Sequence, residues 1–155
     1  MAALRIGLIS DTHGLLRPQA MEALAGVAHI VHAGDIGDAG VIAQLQGIAP
    51  LSAIRGNNDA GAWAADIPET LRLEIGGVTL YVLHDVKQLD LDPEAQGIDV
   101  VVAGHSHKPC IERRGGTLFV NPGSAGPRRF KLPVSLGFLE IGDGEVVATL
   151  RTLTV

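Results

Sequence analysis

Leu4-Arg5-Ile6-Gly7-Leu8-Ile9-Ser10 runs straight into Asp11-Thr12-His13. The first seven residues are a short apolar run with β-branched content, which reads as a buried strand. Two side chains with metal-ligand chemistry stand at its end. The arrangement recurs. Ile30–Ala33 reads as a strand and leads into Gly34-Asp35, and Leu51–Ile54 is followed by Arg55, Gly56 and Asn57. Val78–Leu83 ends at His84, and Val100–Ala103 leads into Gly104-His105-Ser106-His107. Five strands thus release a carboxylate, an amide or an imidazole at their carboxyl ends. A neighbouring glycine often lets the backbone turn sharply there. Ligands of open α/β sheets bind at those ends, so the pattern predicts one convergent site.

Each motif alone has a plainer reading. Asp-Thr-His can be a simple turn, Gly-Asn-Asn-Asp a surface loop, and a lone His84 a packed core histidine. Five coincidences in one register explain less than a shared site does. His29 and His32 fall outside the pattern and read as structural, with His32 placed to support a ligand from behind.

Between these strands the chain shows helix signals at Pro18–Ala25 and Ala39–Gln46, the latter with Asp38 as N-cap. Leu71–Ile75 and Val78–Leu83 flank Gly76-Gly77, a hairpin signal. Pro93–Gln96 reads as a helical turn. Beyond Ala103 helix signals stop. Cys110–Arg113, Thr117–Val120, Ser135–Ile141 and Val146–Leu150 read as antiparallel strands, joined in pairs by Gly115-Gly116 and Gly142-Asp143-Gly144. A β/α half followed by a β half predicts two packed sheets with helices outside. With no Pro/Gly/Ser linker between the halves, residues 1–155 are expected to form a single domain.

Composition narrows the class. The chain has 155 residues, 46% of them hydrophobic, and only 3% are aromatic, so the core must be aliphatic. The net charge is -5, and the basic clusters, Arg113-Arg114 and Arg128-Arg129-Phe130-Lys131, are too short for a nucleic-acid groove. Cys110 is the single cysteine, which excludes an intrachain disulfide. No apolar run reaches the roughly 18 residues of a membrane span, and the start lacks a signal-peptide pattern. The expectation is a cytoplasmic protein with a small-molecule partner and no membrane. A second copy of the chain, held through an exposed apolar patch, stays open as a partner.

Asp11-Thr12-His13, Gly34-Asp35, Gly56-Asn57-Asn58-Asp59, His84 and Gly104-His105-Ser106-His107 together resemble the calcineurin-like metallophosphoesterases, in family order and over most of the chain. The likeness is greatest to their small bacterial and archaeal phosphodiesterase branch, which also carries a segment like Asn121-Pro122-Gly123-Ser124. The resemblance implies a four-layer α/β/β/α sandwich of two mixed sheets. It implies that Asp11, His13 and His107 hold one divalent metal ion, that Asn57, His84 and His105 hold a second, and that Asp35 bridges them. Two departures stand out. Asn58 occupies a position where many members of the wider family carry a histidine that helps the leaving group or the phosphate. Asp85 follows His84 where glycine is common.

The ligand set has carboxylates, an amide and imidazoles but no thiolate, which argues against a closed structural zinc site. It favours Mn, with Fe, Ni, Co or Zn also suited, over Ca or Mg. Paired ions can activate a water and clamp an in-line displacement at phosphorus. The expected reaction is attack of metal-bound hydroxide on a phosphate ester, with Asp35, Asn58 and His105 catalytic. Asn58, Arg55 and Arg128 are the candidate substrate contacts. Two divalent ions are neutralised by Asp11, Asp35, one hydroxide and a diester anion, whereas a monoester dianion leaves one excess negative charge. That favours a phosphodiesterase. A phosphomonoesterase or small nuclease on the same centre is the alternative, with a non-catalytic protein-interaction scaffold, the role of one eukaryotic branch of this fold, behind it.

Overall fold

Ile6 and Leu8 of β1 (Leu4–Ile9) join one apolar cluster and Ile9 joins another, the two-residue alternation a strand imposes. The computed structural model describes residues 3–155. In it β1 is the central strand of a five-stranded sheet. It pairs in parallel with β2 (His29–His32), which pairs in parallel with β3 (Leu51–Ala53). On its other side lie β9 (Ser135–Gly142) and β10 (Glu145–Thr152), both pairings antiparallel. The second sheet runs β4 (Thr70–Ile75), β5 (Val78–Leu83), β6 (Val100–Val102), β8 (Thr117–Asn121) and β7 (Cys110–Arg114). It too is mixed, with β6 parallel to both neighbours and antiparallel hairpins outside.

The three predicted hairpins form, and the two C-terminal ones separate. β7 and β8 extend the second sheet, while β9 returns to pair with β1 and carries β10 to the edge of the first. The main core lies between the sheets: Ile6, Leu8, Val31 and Leu139 face Leu80, Val82, Val100 and Val120. The core is aliphatic as expected; Phe138 is its one large aromatic among the fully buried side chains.

Helices α1 (Pro18–Ala23) and α2 (Ala39–Gln46) cover the outer face of the first sheet, burying Ala20, Leu24, Val41 and Leu45 against Ile9, Ile30 and Phe138. Pro18 opens α1, where its missing N–H costs nothing. Asp38 caps α2 by accepting from the Val41 N–H at 3.1 Å. The first helix ends two residues before the predicted Ala25. The outer layer on the second sheet is thinner than a helix. Residues 85–99 form one 3₁₀ turn (Val86–Gln88) and a turn over residues 93–97, and they cover Val101 and Ala103 through Ile98, Leu89 and Leu91.

Candidate metal centre

β1, β2, β3, β5 and β6 deliver their predicted polar residues to one edge of the sandwich. The chain continues past β1 and β2 in ladder fashion: the Asp11 N–H donates to Gly34 O at 3.0 Å, and the His13 N–H to Asp35 O at 2.9 Å. The second sheet continues past β5 and β6 in the same way, with the Gly104 N–H donating to His84 O at 2.9 Å.

Asp11 is fully buried. Its Oδ2 accepts from Ser10 Oγ at 2.8 Å and from the His105 N–H at 3.1 Å. Its Oδ1 has no hydrogen bond and faces His13 (3.7 Å), His84 (3.8 Å) and His107 (3.5 Å). Asp35 Oδ2 lies 3.7 Å from His13 Nε2 and 3.1 Å from His84 Nε2, so it stands between the two predicted ligand groups. His84 Nδ1 lies 2.8 Å from the Ala33 carbonyl, which can only accept. That contact puts the proton on Nδ1 and leaves the Nε2 lone pair free for a cation.

Backbone conformation marks the same residues. Among the described residues, seven non-glycine positions have left-handed φ; five are Asp11, His13, Asp35, His105 and His107. Such strain persists where the surrounding structure imposes it, and it gathers at functional sites. Gly56 explains part of the packing: a Cβ there would collide with Asp35 Oδ1 and the Asp35 amide. A Cβ at Gly104 would meet Ser10 Oγ and sit 2.7 Å from Asp11 Oδ2.

Burial raises the Asp11 pKa, opposed by the Ser10 hydrogen bond and by His84 and His107. Burial also acts to raise Asp35, but the His84 imidazole 3.1 Å away and the hydrogen bonds from Asn58 outweigh it and hold this carboxyl below its usual range. His84 is shifted up: burial lowers it, and Asp35, Ala33 and Asp11 more than compensate. His107 is lowered by burial, with Arg129 adding to the shift.

Three buried polar atoms therefore converge without hydrogen bonds, Asp11 Oδ1, His13 Nε2 and His84 Nε2, and His107 brings its Nε2 to 3.5 Å from Asp11 Oδ1. A buried polar atom left unpaired costs about 1–3 kcal/mol, and a cation among these atoms would satisfy them. Two groups have ligand atoms mutually close enough for one ion, Asp11-His13-His107 and Asp11-Asp35-His84. The residues present fit divalent metal. The family model for the calcineurin-like phosphoesterase superfamily domain matches residues 4–144.

The chain belongs to the calcineurin-like phosphoesterase superfamily.

A probable metallophosphoesterase of Methanothermobacter thermautotrophicus is 33% identical over 152 residues, covering 90% of this chain and 87% of the relative. A phosphodiesterase of Methanocaldococcus jannaschii is 30% identical over 139 residues, covering 77% of this chain and 83% of that one. Among solved structures, an archaeal phosphodiesterase superposes with TM-score 0.78 at 26% identity, covering 96% of this chain and all of the other. Vacuolar Protein Sorting 29 from Cryptosporidium parvum superposes with the same TM-score at 19% identity, over the whole of both chains, a likeness of fold.

The remaining predicted residues of this phosphoesterase fall in three places. Asn57, His84, Arg55 and His105 line a cavity of about 550 Å³ beside the convergent atoms. The His105 ring is 5.1 Å from that of His84, and its Nε2 is 3.8 Å from Asp85 Oδ2; His105 lies outside both close groups. Asn58 was expected to contact the phosphoryl group. It instead donates its N–H (3.0 Å) and its Nδ2 (3.1 Å) to the two oxygens of Asp35. Arg55 pairs with Glu69 at 3.3 Å. Arg128 is exposed, and it is the adjacent Arg129 whose charge reaches His107.

The sequence reading places His32 behind the ligands but misses two further supports, Asp59 and Asn121. Asp59 accepts the N–H groups of Ile36, Gly37 and Gly56 at 2.9–3.0 Å, tying the loops after β2 and β3 together. The final Asp of Gly-Asn-Asn-Asp was a signal for it. Asn121 donates to Gly104 O and Ser106 Oγ, both at 3.0 Å, and Ser124 donates to Asp11 O, which gives the Asn-Pro-Gly-Ser segment its purpose. His32 is fully buried and accepts the Gly34 N–H on Nδ1 at 3.1 Å. Its Nε2 therefore donates to Thr12 Oγ1 at 3.0 Å, and Thr12 in turn donates to Ile36 O at 2.7 Å. His29 touches only Ser52 and has no link to the centre among the described residues.

Proposed function

We propose that this chain hydrolyses a phosphodiester with two divalent metal ions, one held by Asp11, His13 and His107 and the other by Asn57, His84 and His105, with Asp35 shared. The observation that carries the reading is the gathering of three unpaired buried ligand atoms, Asp11 Oδ1, His13 Nε2 and His84 Nε2, with Asp35 Oδ2. Bound divalent ions supply Lewis acidity and an activated water at neutral pH. The protein's part is to hold the ligands. Ser10 and the His105 amide orient Asp11, Asn58 orients Asp35, and the Ala33 carbonyl sets the His84 tautomer. Asn58 acts in this reading through Asp35. Arg129 and Arg55 are the cations at hand for the substrate anion.

Manganese suits this imidazole and carboxylate set, as do Fe, Ni, Co and Zn. The phosphodiesterase name carried by an archaeal relative and by a solved structure supports the diester, as does the charge balance. The likeness to Vacuolar Protein Sorting 29 favours a second reading, a binding scaffold, but it rests on fold alone. The deciding experiment offers an aryl phosphodiester and the matching monoester to protein loaded with each of the five metals. Diester turnover above monoester turnover is expected. No turnover with any metal would sink the hydrolase reading in favour of the scaffold. Because Asn58 stands where a proton donor is often found, rates across a series of aryl diesters should fall steeply as the leaving-group pKa rises; a flat series would reveal an acid.

A further inference from the structure

β10 is the outermost strand of the first sheet and the longest of the four sheet edges. It pairs with β9 without interruption, from Glu145↔Gly142 to Thr152↔Ser135, so no bulge bends it away. It contains neither proline nor lysine, the residues that usually blunt an edge. Just past its end the Leu153 N–H donates inward to Val134 O at 2.8 Å. Antiparallel bonding alternates along a strand. The N–H and C=O groups of Val146, Ala148 and Leu150 therefore point away from β9, and among the described residues no strand receives them. Apolar surface gathers at the same edge. Val147 is 59% exposed. Leu150 shares its face with Val146 and Ala148, which pack against the core between the sheets, yet it is 36% exposed. On β7, the edge of the second sheet alongside, Ile111 opposes the core residue Val120 and is 39% exposed. Side chains that face the core thus reach solvent along this side of the sandwich.

The strand is also self-complementary. Laid antiparallel to a copy of itself about Ala148, it sets Glu145 opposite Arg151, Val146 opposite Leu150, Val147 opposite Thr149 and Ala148 opposite its own copy. The outward groups of Val146, Ala148 and Leu150 then meet their counterparts as hydrogen-bonded pairs. Apolar side chains meet on the core face, and opposite charges meet on the outer face, where such pairs stabilise a sheet. Both charges are spare in the single chain. Among the described residues the ion pairs outside the candidate metal centre are Arg5–Glu140, Arg55–Glu69 and Arg114–Glu112. Arg151 rests over the Phe138 ring at 4.8 Å, which holds its guanidinium on the outer face. The other edges fit less well. β3 has three residues, β7 carries Glu112, Arg113 and Arg114, and on β4 Arg72 already donates to Gln96 O at 2.8 Å. We infer that two copies of this chain pair through β10 around a two-fold axis at Ala148, joining their five-stranded first sheets into one continuous sheet. The inference stands on the fold and holds whether or not the centre hydrolyses phosphodiesters.

Sedimentation velocity of the full chain tests it. A species of twice the 16.1 kDa monomer mass is expected, in equilibrium with the monomer. Glu145→Arg alone, or Arg151→Glu alone, puts like charges opposite each other at both ends of the strand pair and should weaken the dimer about tenfold. The two substitutions together restore opposite pairs and should recover most of it. Leu150→Lys sets a charge on the core face of the edge and should leave a monomer. Melting curves establish that each variant is folded, and the charge pair decides the matter even where Leu150→Lys is not. The register has its own test. In a Cys110→Ser background, which removes the exposed native thiol, Ala148→Cys should oxidise to an interchain disulfide. Opposed Cα atoms of a hydrogen-bonded pair lie about 5.5 Å apart, within reach of that bond. Val147→Cys faces Thr149 of the copy and should not crosslink. A monomer at every concentration overturns the inference. So does a dimer that ignores the charge reversals, and so does a dimer that crosslinks through Val147→Cys rather than Ala148→Cys.

Discussion

Asp35 is the residue on which the centre turns. Its Oδ2 lies 3.7 Å from His13 Nε2 and 3.1 Å from His84 Nε2, and its hydrogen bonds come from a single residue, Asn58. Asp35→Asn keeps the shape and removes the charge, so a loss of at least about 100-fold in turnover is expected, with lower metal content by elemental analysis. His29→Ala, which severs only a contact to Ser52, should leave metal content unchanged. His32 makes a separate, pH-dependent prediction. Burial lowers its pKa to about 3, with Asp59 opposing, so it is neutral in the fold. The unfolded chain takes up a proton near its ordinary value of 6.5 that the folded chain does not. Stability is therefore fully present above pH 6.5 and is lost as pH falls from there toward 3, with a slope of about 1.4 kcal/mol per pH unit. Melting curves between pH 7 and pH 5 should show this slope, and His32→Gln should flatten it. An unchanged slope in that variant would assign the acid sensitivity elsewhere.

At the scale of elements, the strands serve to aim loops. The loops after β1 and β2 share ladder-like backbone bonds, Asp59 ties the β2 and β3 loops, and Asn121 at the end of β8 holds the loop after β6. Ligands placed by loops keep their positions only if the loops are locked together. Asn121→Ala frees Gly104 O and Ser106 Oγ, the two supports of the His105–His107 loop. It should cost about 1 kcal/mol of stability and weaken metal affinity by about tenfold, read by competition with a chelating dye. Equal metal affinity in the variant would mean that the strained backbone alone keeps the loop in place.

For the whole molecule, a metal ion at the candidate centre would add stability. It joins both sheets, since Asp11, His13 and Asp35 follow strands of the first while His84, His105 and His107 follow strands of the second. An ion held among them would bind the folded state alone. At a concentration 100 times its dissociation constant it adds about 2.7 kcal/mol, or about 5–10 °C in Tm for a chain of this size. Chelation should lower Tm by that amount and metal return should restore it; no shift would mean that the ligand atoms hold no ion. Among the described residues no helix is long and apolar enough to cross a membrane.

The amino-acid sequence by itself determined the elements and the roster. Valine and isoleucine runs ending in Asp11, Asp35, Asn57, His84 and His105 specify strands with polar C-terminal ends, because period-two burial and turn chemistry are local properties. The hairpins at Gly76-Gly77, Gly115-Gly116 and Asp143-Gly144 were legible for the same reason. Only the tertiary structure decided which strands are neighbours, since pairing of β9 with β1 is a contact between residues more than 120 apart and leaves no local trace. It also decided what each polar atom faces. Asn58 turns to Asp35, Arg129 rather than Arg128 is the charge felt by His107, and Asp59 and Asn121 emerge as supports. Side-chain direction there is set by hydrogen bonds to distant backbone groups, and those partners exist only once the two sheets have packed.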